Sequence, residues 1–273
     1  MREEIAAFVQ HLKIEEKSTA TIEKYRRDVL GFLAFLAGQS VCKAAVIAYK
    51  EHLTAHYAPA SANSMLAALN CFLRFTGQTD CCVKPLKIQR QMFCREDKEL
   101  TRQELHRLVK AAGNTRLALV IHTICGTGIR VSELQYITAE AVRAGKAVVN
   151  CKNKTRVIFI PAPLQKMLKD YIKKSGITAG AVFVSKNGRP LDRRNIWRDM
   201  KALCQKANVS PQKVFPHNLR HLFARTFYAM EKDIVRLADL LGHSSVDTTR
   251  IYTMESGNRH VLRLEKAYRL LAT

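Results

Sequence analysis

Apolar residues recur every three or four positions through the first part of the chain, which is the spacing of an amphipathic helix. One helix is predicted to begin at Ser18, whose hydroxyl favours a helix N-terminus, and to end near Gly38. A second is predicted from Ser61 to Phe75. The apolar positions of the two stretches are Ile22, Tyr25, Val29, Phe32, Leu33 and Leu36, then Met65, Leu66, Leu69, Phe72 and Leu73. We therefore expect residues 1–80 to form a small helical domain.

The helical spacing is interrupted between residues 81 and 98, where Pro85 and mixed charges take its place. These features are typical of a linker between two domains. Helical spacing returns after Thr101, which forms a capping-box pattern with Glu104, in which each side chain caps the other's backbone N–H. A second domain is therefore expected to begin at residue 99.

One stretch of this second domain favours strands. Two runs of β-branched residues between Ala147 and Pro161 flank the sequence Lys-Asn-Lys, which predicts a β-hairpin with a basic tip. Helical spacing resumes from Leu164, with a short strand or extended segment at 181–185. The sequence thus predicts a mainly α protein: a helical N-terminal domain, then a mostly helical domain with one small β-sheet over residues 99–273.

Charge is distributed unevenly along the chain. Residues 1–80 hold nine Lys and Arg against eight Asp and Glu, whereas residues 81–273 hold 36 against 15, and the net charge is +22. Such a basic excess indicates a polyanionic partner, most often nucleic acid. No apolar run is long enough to span a membrane and the N-terminus lacks a signal-peptide core, so we expect a cytoplasmic protein without a membrane partner. The eight cysteines form no CxxC pair, which favours reduced, structural thiols.

Two short segments carry residues that suit phosphate chemistry. In GTGIRVSEL a glycine turn is followed by Arg130 in the first helical turn, where a cation opposes the helix dipole. This placement indicates an external anion, with a surface pair to Glu133 as the alternative. In PHNLRH a proline favours a helix start, so that His217 and Arg220 project from one face. His217 and His221 have metal-ligand spacing as well, but no acidic residue or cysteine accompanies them at such spacing.

A third segment, LLGHSSVDTTRIYT, follows them. Gly242 is expected to end a helix and Ser244 or Ser245 to cap the next, with His243 in the turn between and Tyr252 at the end of a short helix. Taken alone, Tyr252 would be a core aromatic. Beside two imidazoles and a guanidinium on a basic surface, its phenol is suited to attack a phosphodiester.

Together these segments resemble the tyrosine recombinase (phage integrase) family. The stretches TGIRVSEL, KNKTR, HNLRH and LGHSSVDTTRIYT occur in the family's order between about Leu100 and Tyr252. The resemblance implies a core-binding domain and a catalytic domain, in a site-specific recombinase that cuts and rejoins duplex DNA through a 3′-phosphotyrosyl intermediate. A type IB topoisomerase and a non-catalytic DNA-binding relative are the alternatives. Within the family, a mobile-element integrase and a Xer-type resolvase both fit.

The resemblance also implies a role for each candidate residue. Tyr252 is expected to be the nucleophile, while Arg130 and Arg220 hold the scissile phosphate. His217 is expected to assist deprotonation of the tyrosine, and His243 to donate a hydrogen bond to the phosphate. No metal and no cofactor are implied, because the arginines supply the positive charge.

The hairpin is one residue shorter than the family pattern Lys-Gly-Asn-Lys-x-Arg. A one-residue gap leaves Lys152 as the general acid that protonates the departing 5′ oxygen, with Lys154 as the alternative. Lys154 and Arg156 are expected to contact DNA.

The implied partners are a double-stranded DNA recombination site and further copies of the chain, as a homotetramer on two duplexes. The C-terminal stretch from Gly257 to Thr273 is amphipathic. We expect it to be an exchange helix that docks on a neighbouring protomer, with packing on its own domain as the alternative.

Overall fold

The computed structural model describes residues 2–88, 96–151, 154–185, 187–253 and 257–271. Its chain divides into two units, Met1–Arg90 and Gln91–Thr273. The fold class is the predicted one, because helices account for most of the described residues and a single two-stranded sheet lies in the second unit.

The first unit contains the helices α1 (Arg2–Ile14), α2 (Thr19–Leu36), α3 (Lys43–His56) and α4 (Pro59–Phe75). Helix α2 begins where predicted, because the Ser18 hydroxyl accepts a hydrogen bond from a backbone N–H of the first turn. It ends at Leu36, and Ala37 follows in the left-handed conformation. Helix α4 begins two residues before the predicted Ser61, because the fixed φ of Pro59 suits a first helical position.

Aromatic side chains join these helices, and Phe32 and Phe72 among them lie at predicted apolar positions. Phe8 of α1 packs edge-on against Phe72 of α4, with ring centroids 5.2 Å apart. Phe32 of α2 lies against Tyr49 of α3 at 5.1 Å. The apolar spacing therefore marks the faces that form the core of this unit.

After α4 the chain remains attached to that helix through two asparagine side chains. The amide of Asn70 donates to the Val83 carbonyl at 2.8 Å and accepts from the Val83 N–H at 3.0 Å. Asn63 makes the same pair with Leu86, at 2.9 and 2.7 Å. The beginning of the segment that the sequence assigns to a linker therefore packs on the first unit, because the two amides pair its extended backbone as a neighbouring strand would.

The second unit contains the remaining elements. They are α5 (Arg102–Ala112), α6 (Arg116–Thr127), α7 (Ala139–Ala144), β1 (Lys146–Cys151), β2 (Lys154–Phe159), α8 (Ala162–Lys174), α9 (Arg193–Ala207), α10 (Pro216–Glu231), α11 (Ile234–Leu241), α12 (Val246–Thr249) and α13 (Gly257–Leu271). The capping box that opens α5 is present, since Thr101 and Glu104 cap each other's backbone N–H at 3.1 and 2.8 Å. Strands β1 and β2 form the predicted antiparallel hairpin, with Cys151 opposite Lys154.

The segment at 181–185 bends at residues 182 and 183 and makes isolated bridges only. Ala181 pairs with Thr138, and Val184 pairs with Pro190. The predicted regular strand is therefore absent from this described segment, in which two isolated bridges stand on either side of a bend.

Helix α6 lies at the centre of the second unit. It is apolar around most of its circumference, and Val120, Ile121 and Ile124 are fully buried. It ends at Gly128, whose φ of +65° is left-handed and where a Cβ atom would collide with the ring of Phe223 on α10. Because the chain passes so close to Phe223 at Gly128, the turn that carries Arg130 begins beside α10.

Helix α13 exposes its apolar side chains. Tyr268, Leu270 and Leu271 are each more than 70% exposed, and Val261 and Leu264 are more than half exposed. In the ranges that the structure describes, no helix has both the length and the apolar character needed to cross a bilayer.

Removing the amide of Asn70 is expected to release the backbone at Val83 from α4. The Asn70→Ala variant loses two part-buried hydrogen bonds, so amide exchange at Val83 should speed up by one to two orders of magnitude, for a loss of about 1–3 kcal/mol. Hydrogen exchange followed by NMR measures this. Asn63→Ala is the matched control, because it should affect the amide of Leu86 first. Unchanged protection at Val83 in Asn70→Ala would contradict the attachment.

Candidate active site

Arg220 is the buried centre of the site. Helix α10 opens at Pro216 as predicted, and Arg220 on its first turns is only 2% exposed. Its guanidinium donates to the Gly128 carbonyl, to the Leu241 carbonyl at 2.7 Å and to Nε2 of His243 at 3.1 Å. Arg220 therefore ties α10 to the ends of α6 and α11.

His243 lies in the turn after α11, where the sequence puts it, and its tautomer follows from its partners. An arginine can only donate, so Nε2 of His243 accepts from Arg220. The proton of the neutral ring is then on Nδ1, which donates to the hydroxyl of buried Thr249 at 2.8 Å. Burial, with the charge of Arg220 and nearby arginines, lowers the pKa of His243 to about 4. The ring is therefore neutral near pH 7.

Tyr252 ends a short 3-10 turn that follows α12, and it is 3% exposed. Its ring stacks on His243 with centroids 6.0 Å apart, and it meets the ring of His221 edge-on at 4.6 Å. His221 in turn lies 4.6 Å from His217. The structure thus brings Tyr252 together with His243 and, through His221, with His217.

His221 is a site residue that sequence reasoning missed. Its four-residue spacing from His217 fits a metal pair, but it is also the spacing that places two side chains next to each other on one helix face. Among the described residues, no three His, Cys, Asp or Glu side chains are arranged to hold a metal ion.

The remaining imidazoles of the site have lowered pKa values. Burial, with the charges of Arg220 and Arg130, lowers the pKa of His217. Burial, with electrostatic repulsion from His217 and Arg220, lowers the pKa of His221 to about 4. Burial and the charge of Arg130 also lower the pKa of Arg220, to about 10, so Arg220 keeps its charge at neutral pH.

The structure corrects the local placement of Arg130. It was predicted in a first helical turn, but it precedes the 3-10 turn Val131–Tyr136 in extended conformation. Its Nη1 donates to the Glu133 carboxylate at 3.0 Å and its Nη2 to the Gly242 carbonyl at 3.4 Å, while 40% of the side chain is exposed. The predicted pair with Glu133 is therefore present, yet the carboxylate is fully buried rather than on the surface.

Arg156, which the sequence predicts as a DNA contact, is largely buried beside Glu133. Its side chain is 12% exposed, and its Nη2 donates to Glu133 at 2.5 Å. Burial alone raises the pKa of Glu133, but the Arg130 backbone hydrogen bond and the charges of Arg156 and Arg130 together lower it. Glu133 is therefore a buried carboxylate shared by two arginines, and sequence reasoning missed this role.

The hairpin borders the same region. A cavity of about 630 Å³ is lined by Val149 and Thr155 of the hairpin and by Arg130, Arg156 and His243. Lys154 opens strand β2, and Lys152 lies outside the described residues. The lining also includes the carboxylates of Glu133 and Asp239, and Glu133 is already paired with both arginines, so Arg130, with its exposed guanidinium, is the side chain here that suits an anionic group.

Known proteins share both the sequence pattern and the fold. The sequence model described as the phage integrase family matches residues 98–259, and that of the phage integrase N-terminal SAM-like domain matches residues 5–78. Tyrosine recombinase XerA of Thermococcus kodakarensis is 32% identical, with 92% of this chain and 90% of that protein covered.

Two solved structures extend the likeness. A crystal structure of XerA recombinase covers 98% of both chains, with a TM-score of 0.54 and 26% identity. A lambda integrase tetramer bound to a Holliday junction has a TM-score of 0.74 at 17% identity, covering 94% of this chain and 79% of that one. At 17% identity the likeness concerns the fold.

The buried imidazoles should make the protein less stable in mild acid. An unfolded histidine has a pKa of about 6.5, whereas His221 has one of about 4 in the folded protein. Above pH 6.5 both states are neutral; as the pH falls towards 4 the unfolded state binds the proton first, so the free energy of unfolding falls. His221→Gln should reduce the fall between pH 7 and pH 5 by about 1 kcal/mol, after allowance for solvent screening.

Urea unfolding at the two pH values measures the effect. His106→Gln, at an exposed position of α5, is the control and should keep the parent's pH dependence. An equal pH dependence in the His221→Gln variant and the parent would contradict the burial argument.

Proposed function

This chain belongs to the phage integrase family of tyrosine recombinases, and we propose that it exchanges strands between two duplex DNA sites through a covalent 3′-phosphotyrosyl intermediate. The proposal depends on one observation: Arg220 donates to His243, whose ring stacks on Tyr252. A phenol beside a fixed guanidinium and neutral imidazoles suits nucleophilic attack on a phosphodiester.

Tyr252 is the proposed nucleophile. An ordinary phenol has a pKa of about 10, so attack near neutral pH needs a base and nearby positive charge. His217 is suited to accept the phenolic proton, because its lowered pKa leaves it neutral. His221 contacts the rings of both residues and keeps them on one side of α10.

Arg130 and Arg220 are the proposed phosphate ligands. Each guanidinium is fixed from behind, Arg130 by Glu133 and Arg220 by the carbonyls of Gly128 and Leu241. The pentavalent transition state gathers negative charge on its equatorial oxygens, and the guanidinium fork matches their geometry. These fixed cations supply the stabilisation in the proposed mechanism, which assigns no step to a metal ion.

His243 is the proposed hydrogen-bond donor to the phosphate, and this role needs a change of protonation. In the structure Nε2 accepts from Arg220, and the proton is on Nδ1. A phosphate beside the ring adds negative charge and raises the pKa of His243. We propose that Nε2 then takes up a proton and donates it in a hydrogen bond to the phosphate, while Nδ1 stays on Thr249.

Strand breakage and rejoining follow from these positions. The Tyr252 oxygen attacks phosphorus, the bond to the 5′ oxygen breaks, and that oxygen takes a proton from a hairpin lysine. We assign Lys152 to this step, with Lys154 as the alternative. A 5′ hydroxyl of the partner strand then gives its proton to the lysine and attacks the phosphorus of the phosphotyrosyl ester, which has kept the energy of the broken ester; the bond to the Tyr252 oxygen breaks, and that oxygen regains its proton from His217.

Four copies on two duplexes are the proposed assembly. In it residues 1–80 form the core DNA-binding domain, 81–98 the linker and 99–273 the catalytic domain. Helix α13 is the proposed exchange element, supported by its exposed apolar side chains. The lambda integrase tetramer on a Holliday junction, which shares the fold, offers a precedent.

Replacing the nucleophile is expected to abolish covalent chemistry without loss of binding. Tyr252→Phe removes one oxygen and little volume, so the fold and DNA affinity should survive. On a nicked suicide substrate the parent should be trapped as a detergent-stable 3′-phosphotyrosyl adduct, and the variant should give none above background. Denaturing electrophoresis with labelled DNA measures the adduct.

Tyr228→Phe is the matched control, since Tyr228 packs against the same apolar cluster and loses the same atom. It should form adduct at the parent's rate. An adduct in the Tyr252→Phe variant would mean that another residue attacks the phosphate. Relaxation of a plasmid without exchange between two sites would favour the type IB topoisomerase alternative.

Polar substitutions on α13 should weaken assembly while single subunits still bind. Leu264→Gln and Tyr268→Gln remove exposed apolar contacts, and recombination between two sites should fall at least tenfold. Two-site recombination and sedimentation of the DNA complex measure the effect. Glu265→Gln, an exposed change on the same helix, should behave as the parent. Equal recombination by all variants would mean that α13 does not hold the tetramer together.

A further inference from the structure

We infer that Arg156 is a positioning residue which holds the phosphate ligand Arg130 in place and makes no contact with DNA. This inference rests on the proposed function, since it assigns the support for a residue that the mechanism uses. It changes the expectation drawn from the sequence, in which Arg156 is one of the basic hairpin residues that face the duplex.

The surroundings of Arg156 are those of an internal residue. Its guanidinium donates to Glu133 at 2.5 Å through Nη2 and to the Leu240 carbonyl at 3.0 Å through Nη1. Its side chain is 12% exposed, whereas that of Arg130 is 40% exposed. Two arginines thus approach one carboxylate, and only Arg130 presents a large part of its surface to a ligand.

Glu133 links Arg156 to Arg130, because both arginines donate hydrogen bonds to its carboxylate. One carboxylate oxygen accepts from Arg130 Nη1 at 3.0 Å. The other accepts from the Arg130 backbone N–H at 2.9 Å and from Arg156. Without Arg156 the fully buried carboxylate would keep only the partners that Arg130 itself supplies, which is costly for a buried charge, so Arg156 anchors Glu133, and through it Arg130, to strand β2.

Arg156 also meets the turn that carries His243. At Gly242 a Cβ atom would lie 2.5 Å from Cδ of Arg156, and the φ of +63° there is left-handed. The turn therefore passes directly over the arginine stem. Strand β2, the Arg130 turn and the His243 turn are joined through this one side chain.

The pair of variants Arg156→Gln and Arg156→Lys tests the inference in the full-length chain on a nicked suicide duplex. With Arg156→Gln the adduct should form on the order of 100-fold more slowly at saturating DNA, because Arg130 is no longer held in position. The Kd for the duplex should change by no more than about twofold. Arg156→Lys keeps the charge but cannot reach both Glu133 and Leu240, so it should recover part of the rate.

The pH profile gives a readout that a loss of rigidity alone does not move. Arg130 and Arg156 face Glu133 directly, and Asp239 and His243 line the same cavity. Without Arg156 the carboxylate keeps one guanidinium partner, so its pKa rises and the acid limb of the cleavage rate should move to higher pH. Arg156→Lys should leave this limb closer to that of the parent.

Arg143→Gln is the matched control. Arg143 is an exposed arginine that pairs with exposed Glu140 at 3.5 Å, so its loss should leave the rate, the Kd and the acid limb unchanged. Thermal unfolding shows whether each variant is folded. If Arg156→Gln is not, Arg156→Lys decides alone, by the rate at saturating DNA.

A DNA contact gives the opposite pattern. The Kd would then rise, its dependence on salt would weaken by about one counterion, and the rate at saturating DNA would match the parent. That result overturns the inference and leaves the proposed function intact. Absence of a Tyr252 adduct in the parent chain would instead remove the proposed function, and the inference with it.

Discussion

One buried carboxylate holds the phosphate-binding end of the site together. Glu133 has no exposed surface, and two guanidiniums and a backbone N–H satisfy it. A charge removed from water in this way is costly unless every partner stays in place. The partners come from a turn after α6 and from a strand of the hairpin, so the carboxylate links these two segments.

Burial and the surrounding arginines together explain the state of the imidazoles. Burial lowers the pKa of His243 and of His217, and the charges of Arg220 and Arg130 lower both further, with Arg156 contributing at His243. A single internal carboxylate does not balance this much positive charge. The histidines therefore stay neutral, and neutral His217 is able to accept a proton. The arginines leave the site with an excess of positive charge, which the negative charge of a phosphodiester balances.

Much of the fold could be predicted because its signals are local. The hydroxyl of Ser18, the capping box of Thr101 and the proline at the start of α10 each act within one helical turn. The hairpin is equally local, since its strands pair across a short connection. The resemblance in four motifs then indicated which side chains would meet, and Arg220, His243 and Tyr252 do meet.

The remaining features depend on partners far along the chain. Nothing near Arg156 in the sequence shows whether its guanidinium faces solvent or a carboxylate 23 residues away. The amides of Asn63 and Asn70 have the sequence character of helix-surface residues, yet they pair a segment beyond the end of α4. In each case the sequence shows a polar side chain but not its partner, because tertiary packing decides which group the side chain contacts.

The exposed face of α13 has a consequence for when the protein can act. In the proposed assembly α13 buries its exposed apolar side chains on a second subunit, and two subunits held on neighbouring DNA sites raise each other's effective concentration far above that in solution. Assembly then requires that neighbouring DNA sites are occupied at the same time. A lone subunit on a chance sequence keeps its apolar helix in water, so the arrangement favours pairing only where the DNA itself gathers the copies.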